Sequence, residues 1–234
     1  MMPDKVISTT GGNSRRYGLI AVAVALTIII LDQLLKVWVK THFFLGEDLQ
    51  ILPFFQLRFI QNNGMAFGME FGSKLFLTIF RIIVVVLLTW YIVKLIKKPE
   101  VCCGYIVTLV LIAAGALGNI IDCVFYGEIF TNPMPFEVAT FVPWGEGYGT
   151  LFHGLVVDML YFPLFSFEWP QWMPILAGKT FSFFDPVFNL ADASITVGIL
   201  LLICFYTKYL PFGNGTSDTR INNVKEVSTD NKNA

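Results

Sequence analysis

The stretch GYIVTLVLIAAGALGNIIDCVF, Gly104 to Phe125, decides the fold. About 20 such residues cross a hydrocarbon core of about 30 Å as a helix. Gly115, Gly118, Asn119 and Asp122 recur within it at i, i+3, i+4 and i+7, which puts them on one helical stripe. Two glycines let another helix come close. Packing accounts for the glycines and inter-helix hydrogen bonding accounts for Asn119. Neither accounts for Asp122, a carboxylate at membrane depth that needs a partner and is a functional candidate by default.

Three more apolar stretches are as long: Tyr17 to about Val39, Leu75 to Ile96, and about Asn189 to Leu210. The whole chain agrees with them. Of 234 residues 55% are hydrophobic and only 14% charged, with 23 Phe, and the mean hydropathy is +0.66. Disorder requires the opposite composition. A net charge of -1 excludes a nucleic-acid binder built on basic patches. The expectation is an all-α polytopic membrane protein with four transmembrane helices in one domain, residues 1–210. Residues 40–74 and 126–188 form two outer segments, and 211–234 form a disordered cytoplasmic tail rich in Asn, Ser, Thr and Lys.

Basic residues orient the layout. Lys5, Arg15 and Arg16 precede the first span; Lys94, Lys97 and Lys98 flank the short link; Lys208, Arg220, Lys225 and Lys232 follow the last. The long segment 126–188 holds Lys179 alone. The positive-inside tendency therefore puts both termini in the cytoplasm and both large segments outside. The apolar run after Arg15-Arg16 leads into Asp32-Gln33 rather than a small-residue cleavage pattern, so it reads as an uncleaved span. The four Cys lie in or beside spans, so no disulfide framework is implied. The two His are far apart, without His-Glu-x-x-His spacing, and no metal or other cofactor is expected.

Other ionisable residues stand at the outer ends. Asp32 and Lys36 share a helix face, either as a self-neutralising pair or with a direct role. Arg81 reads as a side chain that snorkels to the interface. Asn189 suits an N-cap and Asp192 the third helical position, so Asp192 is either a helix-start acid or something more. Asp158 is flanked closely by apolar residues, which fits a solvated loop carboxylate poorly. Asn62-Asn63-Gly64-Met65-Ala66-Phe67-Gly68, after the strand-like 54–61, reads as a turn.

Five segments in order then resemble a known family. They are Asp32-Gln33…Lys36, Asn62-x-Gly64-x-Ala66-Phe67, Gly115-x-x-Gly118-Asn119-x-x-Asp122, Gly154-x-Val156-Val157-Asp158 and Phe188-Asn189-x-Ala191-Asp192. The pattern resembles the lipoprotein signal peptidases (signal peptidase II), bacterial membrane aspartic peptidases, over about residues 17–210. The resemblance implies that Asp158 and Asp192 are the catalytic pair. It implies that Asp32, Lys36, Asn62, Gly64, Asn119, Asp122 and Asn189 support the site. It also implies a small extracytoplasmic β-sheet from the first outer segment, a prolipoprotein substrate carrying a diacylglyceryl group on its Cys, and the bacterial inner membrane as the location. Membrane lipids are the other expected partner, and the chain is taken as a monomer.

Two departures stand out. Cys123 occupies the place of the family's usual Arg, so a partner of Asp122 is missing or comes from Arg81 or a loop. Asp122 and Asp158 are also much further apart than usual, through an extra segment, Glu128 to His153. That segment and Phe162–Pro186, with Trp169 and Trp172, are expected to lie flat on the outer leaflet.

The residue types suggest the chemistry. Two neighbouring carboxylates cannot both ionise easily, so they share a proton. The ionised one activates water while the protonated one polarises the scissile carbonyl. The start of the fourth helix favours charge on Asp192, which is taken as the ionised member. Two other classes compete. A transporter or channel subunit could use the intramembrane acids, but no polar path reaches the inside. A non-catalytic scaffold could use the aromatic outer loops.

Overall fold

A computed structural model of the chain describes residues 10–63, 74–98, 100–163, 165–173, 177–183 and 185–209. Five helices and six strands are assigned within them. Helix α1 spans Thr10–His42, α2 Lys74–Ile96, α3 Cys103–Ile121, α4 is a single turn at Gly127–Ile129, and α5 spans Leu190–Phe205. The strands are β1 Asp48–Leu52, β2 Phe55–Asn62, β3 Val156–Tyr161, β4 Phe165–Glu168, β5 Thr180–Phe183 and β6 Val187–Phe188. Gly64 and the rest of the expected turn lie outside the described residues, as does the 211–234 tail.

Among the described residues three helical stretches are long and apolar enough to cross a membrane: Asn13–His42, Lys74–Ile96 and Cys103–Ile129. The fourth apolar helix, α5, has 16 residues and is followed by a 3-10 turn at Thr207–Tyr209. Helix α3 is central and packs on α1, α2 and α5. Its small residues permit this. At Gly118 an added Cβ would stand 2.8 Å from Asp32 Oδ2 and 3.1 Å from Ala191 Cβ, so α1 and α5 both press on α3 there. Large apolar side chains on the outer faces of the other helices, among them Leu34, Phe76, Trp90 and Ile203, are exposed. That is the pattern of helices whose backbone groups are satisfied internally and whose surfaces meet lipid.

The bundle has two ends of different character. One is a largely hydrophobic cluster built on Ala21, Ile92, Leu95, Tyr105, Ile106 and Leu109, with the Tyr91 and Tyr105 hydroxyls 3.3 Å apart within it. At the other, Val39, Phe43, Phe59, Tyr126, Phe130, Val157 and Met159 form a second core, where the helices meet a sheet. That sheet is antiparallel with strand order β1-β2-β3-β6. It joins the two long connections, since β1 and β2 precede α2 while β3 and β6 follow α3. Asp158, whose apolar flanks fit a solvated loop poorly, stands within β3, opposite Ile60 of β2. A strand with partners on both sides holds a carboxylate more firmly than a loop does, because its backbone hydrogen bonds are shared with neighbours.

The two aromatic segments also differ from a flat interfacial layer. In the first, Phe130 and Ala139 are buried in the sheet-side core, while Phe136, Phe141 and Trp144 remain exposed. In the second, β4 and β5 form a separate antiparallel hairpin. Trp169 N–H caps it on Lys179 O at 3.0 Å, and Trp172 is exposed beyond it.

Candidate active site

The site is assembled where the end of α1, the end of α3, the start of α5 and strand β3 converge. The start of α5 follows from local sequence. Asn189 has extended backbone and its side-chain oxygen accepts the Asp192 N–H at 2.9 Å. Asp192 Oδ2 accepts the Asn189 N–H at 3.4 Å, which completes a capping box. A second acid reaches the same helix end: Asp32 Oδ1 accepts the Ala191 N–H at 2.9 Å.

Lys36 sits at the centre with no exposed surface. Its Nζ is 2.9 Å from Asp32 Oδ2 and 2.8 Å from Asp122 Oδ2, and it donates to Asn119 Oδ1 at 2.9 Å. The Asp32–Lys36 pair is therefore not self-contained. One lysine holds two fully buried carboxylates, which resolves what neutralises Asp122. The expected substitutes were Arg81 or a loop residue. Asp122 is instead held by Lys36, by Gln33 Nε2 at 3.0 Å and by the Val157 N–H at 3.3 Å. Among the described residues Arg81 Nη1 meets the Cys123 sulfur, at 4.0 Å.

From this cluster a chain of amides leads to the two remaining acids. Asn119 Nδ2 donates to Asp192 Oδ1 at 2.7 Å. Asn189 Nδ2 donates to Asn119 Oδ1 at 3.1 Å, to Val157 O at 3.3 Å and to Asp158 Oδ1 at 2.7 Å. Asn62 Nδ2 donates to Asp158 Oδ2. Thus Asp32, Lys36, Asn62, Asn119, Asp122, Asp158, Asn189 and Asp192 form one connected network. Gly64 lies outside the described residues.

Electrostatics separate the two acids at the end of the chain. Burial pushes the Asp158 carboxyl up to about 7, and the neighbouring Asp192 charge adds to the effect. Hydrogen bonds from Asn189 and Asn62 and the charge of Lys36 oppose it. A carboxyl so placed still carries its proton in a large share of molecules near neutrality. Asp192 sits at the third position of α5 and closes its capping box.

Local backbone features place these groups. Immediately after α3 the chain widens into a π-helical turn at Asp122–Tyr126, a distortion that often accompanies functional sites. The chain returns against this turn at Gly154, whose N–H donates to Cys123 O at 2.8 Å. A Cβ at Gly154 would overlap the Asp122 carbonyl oxygen, so only glycine permits the approach that leads into β3.

Sequence reasoning missed Gln33 as a member of the site. Its amide nitrogen bonds Asp32 at 3.2 Å, the Gly118 carbonyl at 3.1 Å and Asp122, while its oxygen accepts the Tyr126 hydroxyl at 3.1 Å. A polar amide beside an intramembrane acid was the available signal. Among the described residues no group of three or more His, Cys, Asp or Glu is arranged to hold a metal ion.

Comparisons with known proteins agree on one family. A family model described as Signal peptidase (SPase) II matches residues 24–208. A lipoprotein signal peptidase of Porphyromonas gingivalis is 46% identical over 189 residues, which is 80% of this chain and 83% of that protein. One from Amoebophilus asiaticus is 38% identical over 186 residues, covering 77% and 74%. A solved bacterial membrane enzyme is similar with a TM-score of 0.51 at 25% identity, over 78% of this chain and 89% of that one. A second shares the fold with a TM-score of 0.53, over 84% and 93%. A match across most of the chain, with relatives well above 30% identity, places this protein in the signal peptidase II family.

Proposed function

We propose that this chain is a membrane aspartic endopeptidase that removes the signal peptides of diacylglyceryl-modified prolipoproteins, cutting before the lipidated Cys. Family membership supports the prolipoprotein substrate. One observation carries the aspartic mechanism: Asp158 and Asp192 end a single hydrogen-bonded chain through Asn189 and Asn119, and their surroundings differ. The buried strand acid suits the protonated role and the helix-start acid the ionised one.

In this scheme Asp192 takes a proton from water as the water oxygen bonds to the scissile carbonyl carbon. Asp158 gives its proton to the carbonyl oxygen. The resulting gem-diol collapses as the C–N bond breaks. The leaving amine then takes the proton held on Asp192, and Asp158 recovers its own from the diol. No covalent intermediate or cofactor enters. Asn62, Asn119 and Asn189 orient the carboxylates, while Asp32, Lys36 and Asp122 fix the helix ends that carry them. Gly64 belongs with this support by its motif.

The same reading has all four apolar helices crossing the bacterial inner membrane, with both termini cytoplasmic and the site at the outer face. Lipid-soluble substrates then reach the acids from within the bilayer. The purified protein is expected to release the signal peptide from a diacylglyceryl-modified prolipoprotein, and Asp192→Asn to release none while melting at the same temperature. Normal cleavage by Asp192→Asn would reduce that acid to a helix cap. Thiol labelling at introduced Glu146→Cys and Lys97→Cys should occur from opposite sides, and labelling of both from outside would refute the layout.

A further inference from the structure

Lys40, one helical turn beyond Lys36, is buried with no exposed surface. Its ammonium has no hydrogen-bond partner among the described residues. Lys36 answers its own burial with two carboxylates. Lys40 instead lies between two aromatic faces, 5.2 Å from the Phe130 ring centre and 5.0 Å from that of Tyr148. A desolvated ammonium is held by ring faces through their negative electrostatic potential. Both rings belong to the stretch that follows α3.

Tyr148 connects the cage to the site. Its hydroxyl accepts the Leu155 N–H at 2.6 Å, one residue before β3 begins and three before Asp158. Its own N–H donates to Phe130 O at 2.9 Å, and Gly149 N–H donates to Gly127 O at 2.9 Å. Lys40 thus grips two rings, the rings fix one loop, and the loop holds the entry to the strand that bears Asp158.

We infer that Lys40, through the Phe130–Tyr148 cage, is a positioning residue for the peptidase reaction, holding β3 so that Asp158 is correctly placed against Asp192. The inference rests on the proposed acid pair. It makes the long segment between Asp122 and Asp158 a brace for the site.

The test uses the full-length protein and a diacylglyceryl-modified prolipoprotein, with kcat, KM, the pH profile of kcat and the melting temperature measured for each variant. Lys40→Met removes the charge, and Tyr148→Phe keeps the ring but removes the oxygen that holds Leu155. Each is expected to lower kcat by about tenfold to hundredfold with KM changed less than about twofold, as a misplaced group does. The double variant is expected to lose no more than the worse single, because the two act in one chain. Lys40→Arg, which keeps a cation over the rings, should retain more activity than Lys40→Met. The basic limb of the kcat profile should move to lower pH in Lys40→Met, because a loosened strand admits water to Asp158. Unchanged kcat in Lys40→Met, or a loss that matches only lost folded protein with an unmoved pH profile, would overturn the inference. If Lys40→Met does not fold, Tyr148→Phe decides alone by the same criteria. Asp192→Asn serves as the control: if it still cleaves, the acid pair is wrong, whereas a dead Asp192→Asn beside normal Lys40→Met and Tyr148→Phe refutes the brace only.

Discussion

The two ends of the helical bundle are built from the same helices by opposite means. Around Ala21, Leu95, Ile106 and Leu109 the contacts are apolar apart from one hydroxyl pair, Tyr91 with Tyr105 at 3.3 Å, and none of the buried charged residues described lies among them. Around Asp32, Lys36 and Asp122 the helices meet through buried charges and amides. Such a cluster adds little net stability, because desolvation offsets most of the attraction, but it collapses when one member is removed. The apolar end therefore supplies cohesion. The polar end spends part of it on geometry, holding the start of α5 through Asp32 and the approach of β3 to the turn after α3 through Asp122.

Breaking the polar end at its centre should have the largest effect on folding. Lys36→Met leaves Asp32 and Asp122 buried without their cation, and we expect a loss of about 3–5 kcal/mol by chemical denaturation in detergent. A stable Lys36→Met protein would mean that the cluster does not hold the helices together. Gly118→Ala comes next. Its Cβ would lie 2.8 Å from Asp32 Oδ2, and overpacking of this kind costs about 1–3 kcal/mol. Activity per folded molecule should fall as well, since Asp32 caps the helix that carries Asp192. At the apolar end, Leu109→Ala should cost stability of similar size yet leave kcat per folded molecule unchanged. Equal activity losses at Gly118 and Leu109 would erase the contrast between the two ends.

Titration sharpens the same contrast. Asp158 holds its proton up to about 7 in the folded state, against about 3.9 for an unfolded chain. The folded state then binds the extra proton between those values, so this group's contribution makes stability fall as pH rises through that window. Asp158→Asn lacks this contribution. Its melting temperature relative to the parent should therefore rise from pH 4.5 to pH 7.5 and then level off. A constant difference would show that Asp158 does not titrate in that range. The smallest effect is expected at Cys123, whose sulfur meets only Arg81 at 4.0 Å among the hydrogen bonds described. Cys123→Ala should keep activity within about twofold, as substitutions away from a network usually do.

Much of this is legible in the sequence. The helical spacing of Gly115, Gly118, Asn119 and Asp122 correctly announced a stripe for close packing and polar contact. The Asn189–Asp192 spacing announced the capping box. Each rests on periodicity within one element, which sequence records directly. The partner of Asp122 was not legible, because Lys36 lies on another helix and its reach depends on how closely α1 and α3 pack. Nor was the strand around Asp158 legible. Its apolar neighbours are buried on both faces, so the alternation that marks a strand is absent. The roles of Lys40 and Tyr148 also depend on contacts between distant segments, and one sequence carries no trace of those.

The central claim is that Asp158 and Asp192 work as one unit, and a double-variant comparison tests it most directly. Asp158→Asn, Asp192→Asn and the double variant would be purified, melted and assayed on a diacylglyceryl-modified prolipoprotein. Each single change should cost activity on the order of 10⁴-fold, and the double change should cost nearly the same, because either one removes the shared-proton arrangement. Losses that simply multiply, or a single variant that cleaves at the parent rate while folded, would contradict the account.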